Sequence, residues 1–342
     1  MSAEQTPSQP ALLTLPIPDL VVAPLVSAHA VQGYRILFYM AVVVALAATA
    51  VAWNMNSRPA VQVPPTPERE KDYAYTIDAY GFKYQGHTGN VIDEYVLRYG
   101  AWEKDHLFFV RDYLKNLGEP NAVVIDVGSN TGHHTLFYSR HAARVLAFDP
   151  YPPVIVTFKQ NMALNPHVKN VELFEVGLGD SNAELPFVAP VASNHGQGSF
   201  RVDTPENPEM KQFERKLRIV IGDDYLKDKN LGPVAFIKVD IEGFEESALK
   251  GLRQTIEKHR PMLEVEVSPP PVGTIDTYDR LKGLFPENYE FFVLPWTAEG
   301  AAQGKYQLQK LDWAVHSKGH QIELIACPKE RLNALPGLGG GK

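Results

Sequence analysis

The stretch VVIDVGSNTG, residues 123–132, decides the fold. Four of its first five residues are apolar, which is typical of a buried strand, and a helical pattern begins just after the stretch. Gly128 permits a tight turn that lets a ligand approach the backbone, and Gly132 permits close helix-to-strand packing. Asn130 stands where the dinucleotide pattern G-x-G-x-x-G has its second glycine, so a pyrophosphate is disfavoured. Asp126, which leads the turn, instead suits a ligand that carries an ammonium group.

A second acidic residue, Asp149, follows the apolar run RVLAF at residues 144–148. We expect this run to be the strand next to the first one, which places the Asp149 carboxylate at its tip. There it can accept hydrogen bonds from both hydroxyls of a ribose. Either Asp126 or Asp149 alone would suit an ordinary strand end or helix cap. Together, in this strand-turn-helix-strand context, they predict a nucleoside-type cofactor.

Short apolar runs alternate with helical stretches from residue 121 onward. This alternation predicts a parallel sheet covered by helices, with its ligand at the carboxyl ends of the strands, near the point where strand order reverses. The predicted strands are residues 122–127, 144–148, 171–176, 235–239, 262–267, 291–294 and 322–326. The predicted helices are residues 106–117, 131–140, 153–164 and 245–259.

Three stretches together resemble the FkbM-type family of S-adenosylmethionine-dependent methyltransferases. They are VVIDVGSNTG, VLAFDP at residues 145–150, and FIKVDIEGFEESALKG at residues 236–251. The Lys-x-Asp-x-Glu-Gly-x-Glu pattern of the third stretch is the most distinctive. The resemblance covers residues 121–328 and implies an α/β, Rossmann-like class I fold. Its seven-stranded sheet would be mostly parallel, with one antiparallel strand and helices on both faces.

The resemblance also implies methyl transfer from S-adenosylmethionine, usually to a hydroxyl of a sugar or another small metabolite. Asp149 stands where many members have glutamate, which keeps the charge on a shorter arm. We expect Gly179 and Asp180 to meet the adenine, although a plain Gly-Asp turn is the alternative. The expected cofactor-binding residues are Asp126, Gly128, Ser129, Asn130, Thr131, Gly132, Asp149, Gly179 and Asp180.

The candidate catalytic residues are Asp240, Glu242 and His133. Asp240 and Glu242 follow the strand at residues 235–239, which should lie beside the first strand. We expect Asp240 to contact the cofactor or the acceptor, and Glu242 to orient or deprotonate the acceptor hydroxyl. The alternative for Glu242 and Glu245 is a helix-start carboxylate. His133 titrates near neutrality and is a candidate base, but packing at the helix start is its more ordinary role.

Two further regions are ambiguous in the sequence. Glu266 is expected either to line the acceptor pocket or to make an edge contact. The polar loop SNHGQGS, residues 193–199, is either a lid in which Asn194 and His195 make contacts or simply a mobile loop. The carboxylates are compatible with a metal, but no ligand set stands out, so no metal site is predicted.

Composition narrows the function classes. The net charge of −7 disfavours a nucleic-acid backbone as the main partner, because neutralising phosphates needs a basic face. Cys327 is the one cysteine, which excludes an internal disulfide and fits a reducing compartment. The leading interpretation is an enzyme that acts on a small hydroxylated acceptor or a glycan or lipid precursor. The alternatives are an NAD-dependent oxidoreductase and a non-catalytic, membrane-tethered adaptor.

The N-terminal part reads differently from the rest. Residues 1–35 are rich in proline and predicted to be disordered. The uncharged run at residues 36–53 would span about 27 Å as a helix and is predicted to be a single transmembrane anchor. A cleaved signal peptide and a buried helix are the alternatives. More basic residues follow the run than precede it, which favours a cytosolic C-terminal domain.

The remaining boundaries follow from composition. We expect a Pro-rich linker over residues 54–72, a helical preamble over 73–120, a methyltransferase domain over 121–330 and a flexible tail over 331–342.

Overall fold

The structure is a computed structural model that describes residues 73–201, 211–268, 273–318 and 321–338. No helix within these ranges is long and apolar enough to cross a membrane. The predicted anchor at residues 36–53, and the disordered segment and linker predicted on either side of it, lie outside them.

The described residues form fifteen strands and ten α-helices. The strands are β1 (Ala74–Ala79), β2 (Phe82–His87), β3 (Val123–Val127), β4 (Arg144–Phe148), β5 (Val171–Phe174), β6 (Gly177–Gly179), β7 (Ala183–Leu185), β8 (Val188–Ala189), β9 (Lys211–Gln212), β10 (Leu217–Ile221), β11 (Val234–Val239), β12 (Met262–Val267), β13 (Tyr289–Val293), β14 (Gln309–Lys310) and β15 (Ile322–Pro328). The helices are α1 (Val91–Tyr99), α2 (Lys104–Leu117), α3 (His133–Tyr138), α4 (Pro152–Ala163), α5 (Gly222–Leu226), α6 (Glu245–Gly251), α7 (Arg253–His259), α8 (Tyr278–Gly283), α9 (Ala298–Gln303) and α10 (Trp313–His316), with 3₁₀ turns at His195–Gln197 and Lys329–Ala334.

The central sheet has the strand order β14-β13-β15-β12-β11-β3-β4-β5. The five strands from β12 to β5 are parallel, and β15 runs antiparallel between β12 and β13. The Rossmann-like, mostly parallel fold is therefore confirmed. The sheet has eight strands instead of the predicted seven, because the two-residue strand β14 pairs with the edge of β13.

Strand order reverses between β3 and β11. The chain runs outward from β3 through β4 to β5, and then returns to build β11 and β12 on the other side. The register pairs Val239 with Val127, and Val127 with Phe148, so these strands end level. The residues that follow them emerge at one edge of the sheet, where parallel α/β folds hold their ligands.

The core lies on both faces of this sheet, since the β-strand repeat sends alternate side chains to opposite faces. Val123, Ile125 and Val127 pack into one buried cluster, while Val124 packs into the other with the helices α2 and α3. Because both faces are covered, β3 is apolar along almost its whole length, and its one acidic residue is a candidate for a special role.

The segment before the first sheet strand is not purely helical. It begins with the antiparallel hairpin β1-β2, which precedes α1 and α2. Phe82, Tyr84 and Leu107 are buried in the same cluster as Val124, so this segment completes one face of the core. Helix α2 ends at Gly118, whose φ of 66° forms a left-handed cap.

Two other boundaries differ from the sequence interpretation. The predicted helix at residues 245–259 is broken into α6 and α7 at Leu252, which leaves the helical region of φ/ψ space. The predicted flexible tail begins too early, because Ala334 and Leu335 are buried. The side-chain amide of Asn116 also donates to the carbonyl of Ala334.

Candidate active site

A cavity of about 240 Å³ opens at the carboxyl edge of the sheet, where strand order reverses. The loops after β3, β4 and β11, the end of β12 and the segment around residues 194–200 form its walls. Its lining residues are Ile92, Trp102, Glu103, Gly128, Ser129, Asn130, Thr131, His133, His134, Asp149, Pro150, Tyr151, Val154, Phe187, Asn194, His195, Gly196, Gln197, Gly198, Phe200, Lys238, Asp240, Ile241, Glu242, Glu266 and Gln321.

The glycine turn forms one wall of the cavity. Gly128 has a φ of 88°, and a Cβ added there would lie 1.9 Å from the main-chain oxygen of Asp240. Only glycine fits this position, because the clash is with backbone and no side-chain rotation relieves it. The Gly128 turn therefore lies directly against the Asp240 loop, so the predicted cofactor turn and the predicted catalytic loop are neighbours.

Asp149 lies at the tip of β4, as predicted, and its carboxylate is fixed by the backbone. Oδ2 accepts from the N–H of Asn130 at 3.0 Å, and Oδ1 accepts from the N–H of Tyr151 at 2.9 Å. Each carboxylate oxygen has a further lone pair for a ligand hydroxyl. Burial raises the pKa of Asp149 to about 7, although the two backbone hydrogen bonds oppose the rise.

Asp126 does not line the cavity. Its side chain is buried behind the turn, where Oδ2 accepts from the hydroxyl of Thr135 at 2.5 Å. Burial raises the pKa of Asp126 to about 6. This residue therefore supports the turn from below, and its predicted role in holding an ammonium group, directly or through water, stays a prediction.

The turn carries polar atoms that are suited to a bound nucleoside or amino-acid group. Among the described residues, the buried Oγ of Ser129 and Oδ1 of Asn130 find no hydrogen-bond partner. Thr131 is held in place, because its hydroxyl lies 2.7 Å from that of Tyr84, which also donates to Asp93. Buried polar atoms without partners are costly, so these residues fit a polar ligand such as S-adenosylmethionine.

The opposite wall is strongly acidic. Nζ of Lys238 lies 2.6 Å from Oδ2 of Asp240 and 3.5 Å from Oε2 of Glu103. Burial alone would lower the pKa of Lys238, but the charges of Asp240 and Glu103 raise it well above its ordinary value. Lys238 is thus a permanently charged group that orients Asp240.

Glu242 projects from a strained loop. It has a φ of 54°, which is unusual for a residue with a side chain, and its main-chain oxygen accepts from the hydroxyl of Ser199 at 2.6 Å. Glu245 closes the loop from the other side, since its Oε1 accepts from the N–H groups of Ile241 and Gly243. Glu245 therefore has the structural role considered for it, whereas Glu242 lines the cavity.

Glu266 lines the cavity from the end of β12, which resolves its two alternatives in favour of the pocket. Oε1 accepts a hydrogen bond from the side-chain amide of Gln321. Burial, reinforced by the nearby charges of Asp240 and Glu242, raises the pKa of Glu266 well above its ordinary value. The structure thus brings Asp240, Glu242 and Glu266 together, a set of possible metal ligands that the sequence did not reveal.

Both histidines after the turn reach the cavity. Burial lowers the pKa of His133 well below its ordinary value, and burial with the charge of Lys238 lowers that of His134 to about 3. The ring of His133 packs edge-on against Tyr84, with centroids 5.2 Å apart. Both imidazoles are therefore neutral near pH 7 and are weak bases, so the carboxylates are better placed for proton removal.

Besides Asp126, three predicted cofactor residues lie outside the cavity. Gly179 is part of β6, and a Cβ on Gly251 would lie 1.9 Å from its carbonyl oxygen. Asp180 exchanges hydrogen bonds with Ser247, from which its N–H and its carboxylate are 3.1 and 2.9 Å away. Gly179 and Asp180 were predicted to contact adenine, but in the structure they connect the three-stranded sheet β6-β10-β7 to α6. Gly132 packs against the ring of Phe158.

Sequence reasoning missed several lining residues. Tyr151 comes directly after Asp149, and its position behind a strand end was a usable signal. Gln321 comes just before β15. Because β15 is antiparallel to β12, its first residues lie at the edge of the sheet where the cavity opens. Phe187 and Phe200 lie in the irregular segments on either side of the short strand β8, and no motif marks them. Trp102 also lines the cavity and packs edge-on against Tyr95.

Comparison with known proteins identifies a family that matches this chain. Residues 126–294 match the methyltransferase FkbM domain family. Hexuronic acid methyltransferase AglP of Haloferax volcanii is 26% identical over 176 residues, which cover 48% of this chain and 68% of that protein. The 2-O-methyltransferase NoeI of Sinorhizobium fredii is 23% identical over 165 residues, which cover 44% of this chain and 65% of that protein.

Among solved structures, the methyltransferase FkbM of Methylobacillus flagellatus KT aligns with a TM-score of 0.38 and 16% identity. That alignment covers 60% of this chain and 44% of the other. The chain spans between 59% and 68% of the length of four curated relatives that it matches.

Proposed function

We propose that this protein methylates a hydroxyl group of a sugar or a similar small polyhydroxylated acceptor. Its residues 126–294 match the FkbM family, so the chain belongs to that family and is an S-adenosylmethionine-dependent methyltransferase. The observation that carries this proposal is the position of Asp240 and Glu242, whose loop packs directly on the Gly128 turn. The acceptor would lie between these carboxylates and the turn.

One wall of the cavity would bind the cofactor, and the other would bind and deprotonate the acceptor. Asp149 and the turn residues Ser129 and Asn130 would hold the cofactor. When bound, S-adenosylmethionine supplies a methyl group from a positively charged sulfur, and this sulfur keeps the electron pair of the broken C–S bond. The acceptor oxygen forms the new C–O bond, and Glu242 takes the proton that leaves this oxygen. Lys238 holds Asp240 beside the turn, which fixes the position of the acceptor.

The choice of a hydroxylated acceptor has two supports. The cavity wall around Glu242 carries oxygen acceptors, which suit the hydroxyl donors of a polyol. Two relatives are named as a hexuronic acid methyltransferase and a 2-O-methyltransferase, so sugar-type acceptors occur among similar proteins. A glycan or lipid precursor that presents such hydroxyls belongs to the same class.

Transfer of an isotopically labelled methyl group from S-adenosylmethionine tests the proposal. The acceptors would be a panel of sugars, nucleotide sugars and a cell extract, with the labelled product identified by mass spectrometry. We expect the label on an acceptor oxygen. Label found only on nitrogen or carbon would contradict the proposal.

The role of Glu242 is tested with Glu242→Gln, which keeps the shape of the side chain. We expect normal S-adenosylmethionine binding and a fall in turnover of about 10²- to 10⁴-fold, the usual contribution of a general base. Glu299→Gln is the control, because Glu299 is exposed and paired with Lys305 on the surface. Full turnover in Glu242→Gln would rule out the base role.

We further propose that residues 36–53 anchor the protein in a membrane, with the methyltransferase domain on the cytosolic side. Support comes from the length of the uncharged run and from the basic residues Arg58, Arg69 and Lys71 that follow it. Membrane fractionation with a carbonate wash, followed by protease treatment of sealed vesicles, tests both points. Release by carbonate would contradict the anchor, and protection of the domain inside secretory vesicles would contradict the orientation.

A further inference from the structure

The acidic floor of the cavity, defined as Asp240, Glu242 and Glu266, has the spacing of a cation site. One oxygen from each of the three carboxylates lies within 4.8 Å of the other two. Oxygen ligands bind Mg²⁺, Mn²⁺ or Ca²⁺ at about 2.0–2.6 Å, so ligands on opposite sides of one ion stand about 4–5 Å apart. The three side chains can therefore reach a single ion with little movement.

The lining of the cavity supplies little positive charge to this floor. Among the cavity-lining residues that the structure describes, Lys238 is the one lysine or arginine. Its Nζ is engaged by Asp240 on one side and by Glu103 on the other. Among the lining residues one lysine thus lies beside four carboxyl groups, counting Glu103 with the acidic floor. Carboxyl groups this close either bind a cation or keep a proton, and a divalent cation would displace that proton.

Glu266 has one buried oxygen that no described residue contacts by a hydrogen bond. Its side chain is only 5% exposed, and Oε2 has no hydrogen-bond partner among the described residues. Oε1 is already used by Gln321, so Oε2 is the oxygen left for a ligand. A buried carboxylate oxygen without a donor is costly, and a cation in the cavity would remove that cost.

We propose that Asp240, Glu242 and Glu266 bind a divalent cation of the Mg²⁺ or Mn²⁺ type at the floor of the cavity. Three protein ligands leave open positions in an octahedral ion, and an acceptor hydroxyl oxygen occupies one of them. The ion withdraws electrons from that oxygen and makes its proton easier to remove. The proton passes to the oxygen of Glu242 that does not face the ion. The role of the acceptor rests on the proposed function, whereas the binding of the ion does not.

Titration of the full-length, metal-free protein with MnCl₂, followed by the electron paramagnetic resonance signal of free Mn²⁺, tests the site. We expect one saturable equivalent in the wild type and an affinity at least about tenfold lower in Glu266→Gln and Asp240→Asn. Glu257→Gln is the control, because Glu257 is exposed and paired with Arg253. Circular dichroism and thermal unfolding of each variant show whether it is folded. No saturable binding to the wild type, or equal affinity in a folded Glu266→Gln protein, overturns the proposal.

Chelation separates this proposal from the proposed function. In the presence of EDTA we expect S-adenosylmethionine binding to be retained, while methyl transfer falls by about 100-fold or more and returns with added Mg²⁺ or Mn²⁺. Full transfer in EDTA would overturn the catalytic role of the ion and leave the methyltransferase intact. Failure of S-adenosylmethionine to bind with or without Mn²⁺ would instead contradict the proposed function, and the Mn²⁺ titration would still decide the site.

Discussion

The two walls of the cavity hold their polar groups in opposite ways. On the cofactor side, each oxygen of Asp149 accepts a backbone N–H, and the turn around Gly128 has one possible shape. On the acceptor side, Glu266 and Asp240 contact other side chains, and like charges converge on one point. The first wall is preorganised by the backbone for a constant ligand. The second is assembled from side chains, which can change without rebuilding the fold.

The comparison predicts that the largest effect comes from the residue where the walls touch. In Gly128→Ala, the new Cβ would meet the main-chain oxygen of Asp240 at 1.9 Å, and the backbone would keep an unfavourable φ of 88°. Neither strain can be relieved without moving the turn. We expect S-adenosylmethionine affinity, measured by calorimetry, to fall at least about 100-fold, together with a lower melting temperature.

Gly118→Ala is the matched control for this variant. Gly118 also has a positive φ, of 66°, but nothing lies within 4 Å of the position of an added Cβ. It should lose about 1 kcal/mol of stability and keep its cofactor affinity. A Gly128→Ala protein that binds S-adenosylmethionine as the wild type does would show that the two walls are independent.

The second prediction concerns the backbone-held carboxylate. Asp149→Asn keeps the shape but turns one acceptor into an NH₂ group that faces a backbone N–H. Since hydrogen bonds to charged groups contribute about 1.5–3 kcal/mol, we expect a loss of affinity of about 10- to 100-fold. Isothermal titration of S-adenosylmethionine into the variant measures this loss.

The same residue predicts a pH dependence. Burial raises the pKa of Asp149 to about 7, so the carboxyl is increasingly protonated as the pH falls below that value and accepts ribose hydroxyls less well. Wild-type affinity should therefore rise between pH 6 and pH 8 and then level off. In Asp149→Asn this dependence should be absent. An equal pH dependence in both proteins would assign the titration to another group or to the ligand itself.

The residues before 126, which lie outside the FkbM match, also contact the turn on the cofactor side of the cavity. The fully buried Tyr84 hydroxyl contacts both Asp93 and Thr131, so Tyr84→Phe leaves two buried polar groups without this partner. We expect about 1–3 kcal/mol of lost stability in urea unfolding and only a few-fold loss of affinity. Tyr73→Phe, at an exposed position, is the control. A stability loss equal to that of the control would mean that the hairpin does not support the turn.

The same contrast explains what the sequence could predict. Strands β3 and β4, the turn at Gly128 and Asp149 are local patterns, in which apolar runs, glycines and strand-end carboxylates lie within thirty residues of one another. Glu266 and Gln321 meet only because β15 inserts antiparallel beside β12. No periodicity reports such a pairing. The acidic floor was therefore predicted as separate carboxylates and not as one set of metal ligands.

The region after β5 shows the other limit. The sequence places a third strand correctly, but the strands β6 to β9 have only two or three residues each and are too short to be distinguished from turns, and the five-residue strand β10 was not predicted. As a result, Gly179 and Asp180 were assigned to the adenine by analogy of position alone. In the structure this segment pairs with β10 and contacts α6.

The smallest predicted effect tests this last point. Asp180→Asn changes a carboxylate that lies outside the cavity and receives a hydrogen bond from Ser247, and an amide oxygen can accept the same bond. We therefore expect S-adenosylmethionine affinity within about twofold of the wild type, since exposed substitutions away from a site usually change free energies by no more than about 0.5 kcal/mol. Calorimetry under the conditions used for Asp149→Asn gives the comparison. A tenfold loss in Asp180→Asn would mean that the loop after β6 closes onto the adenine when the cofactor binds, and the cofactor wall would then extend beyond the two strands that define it here.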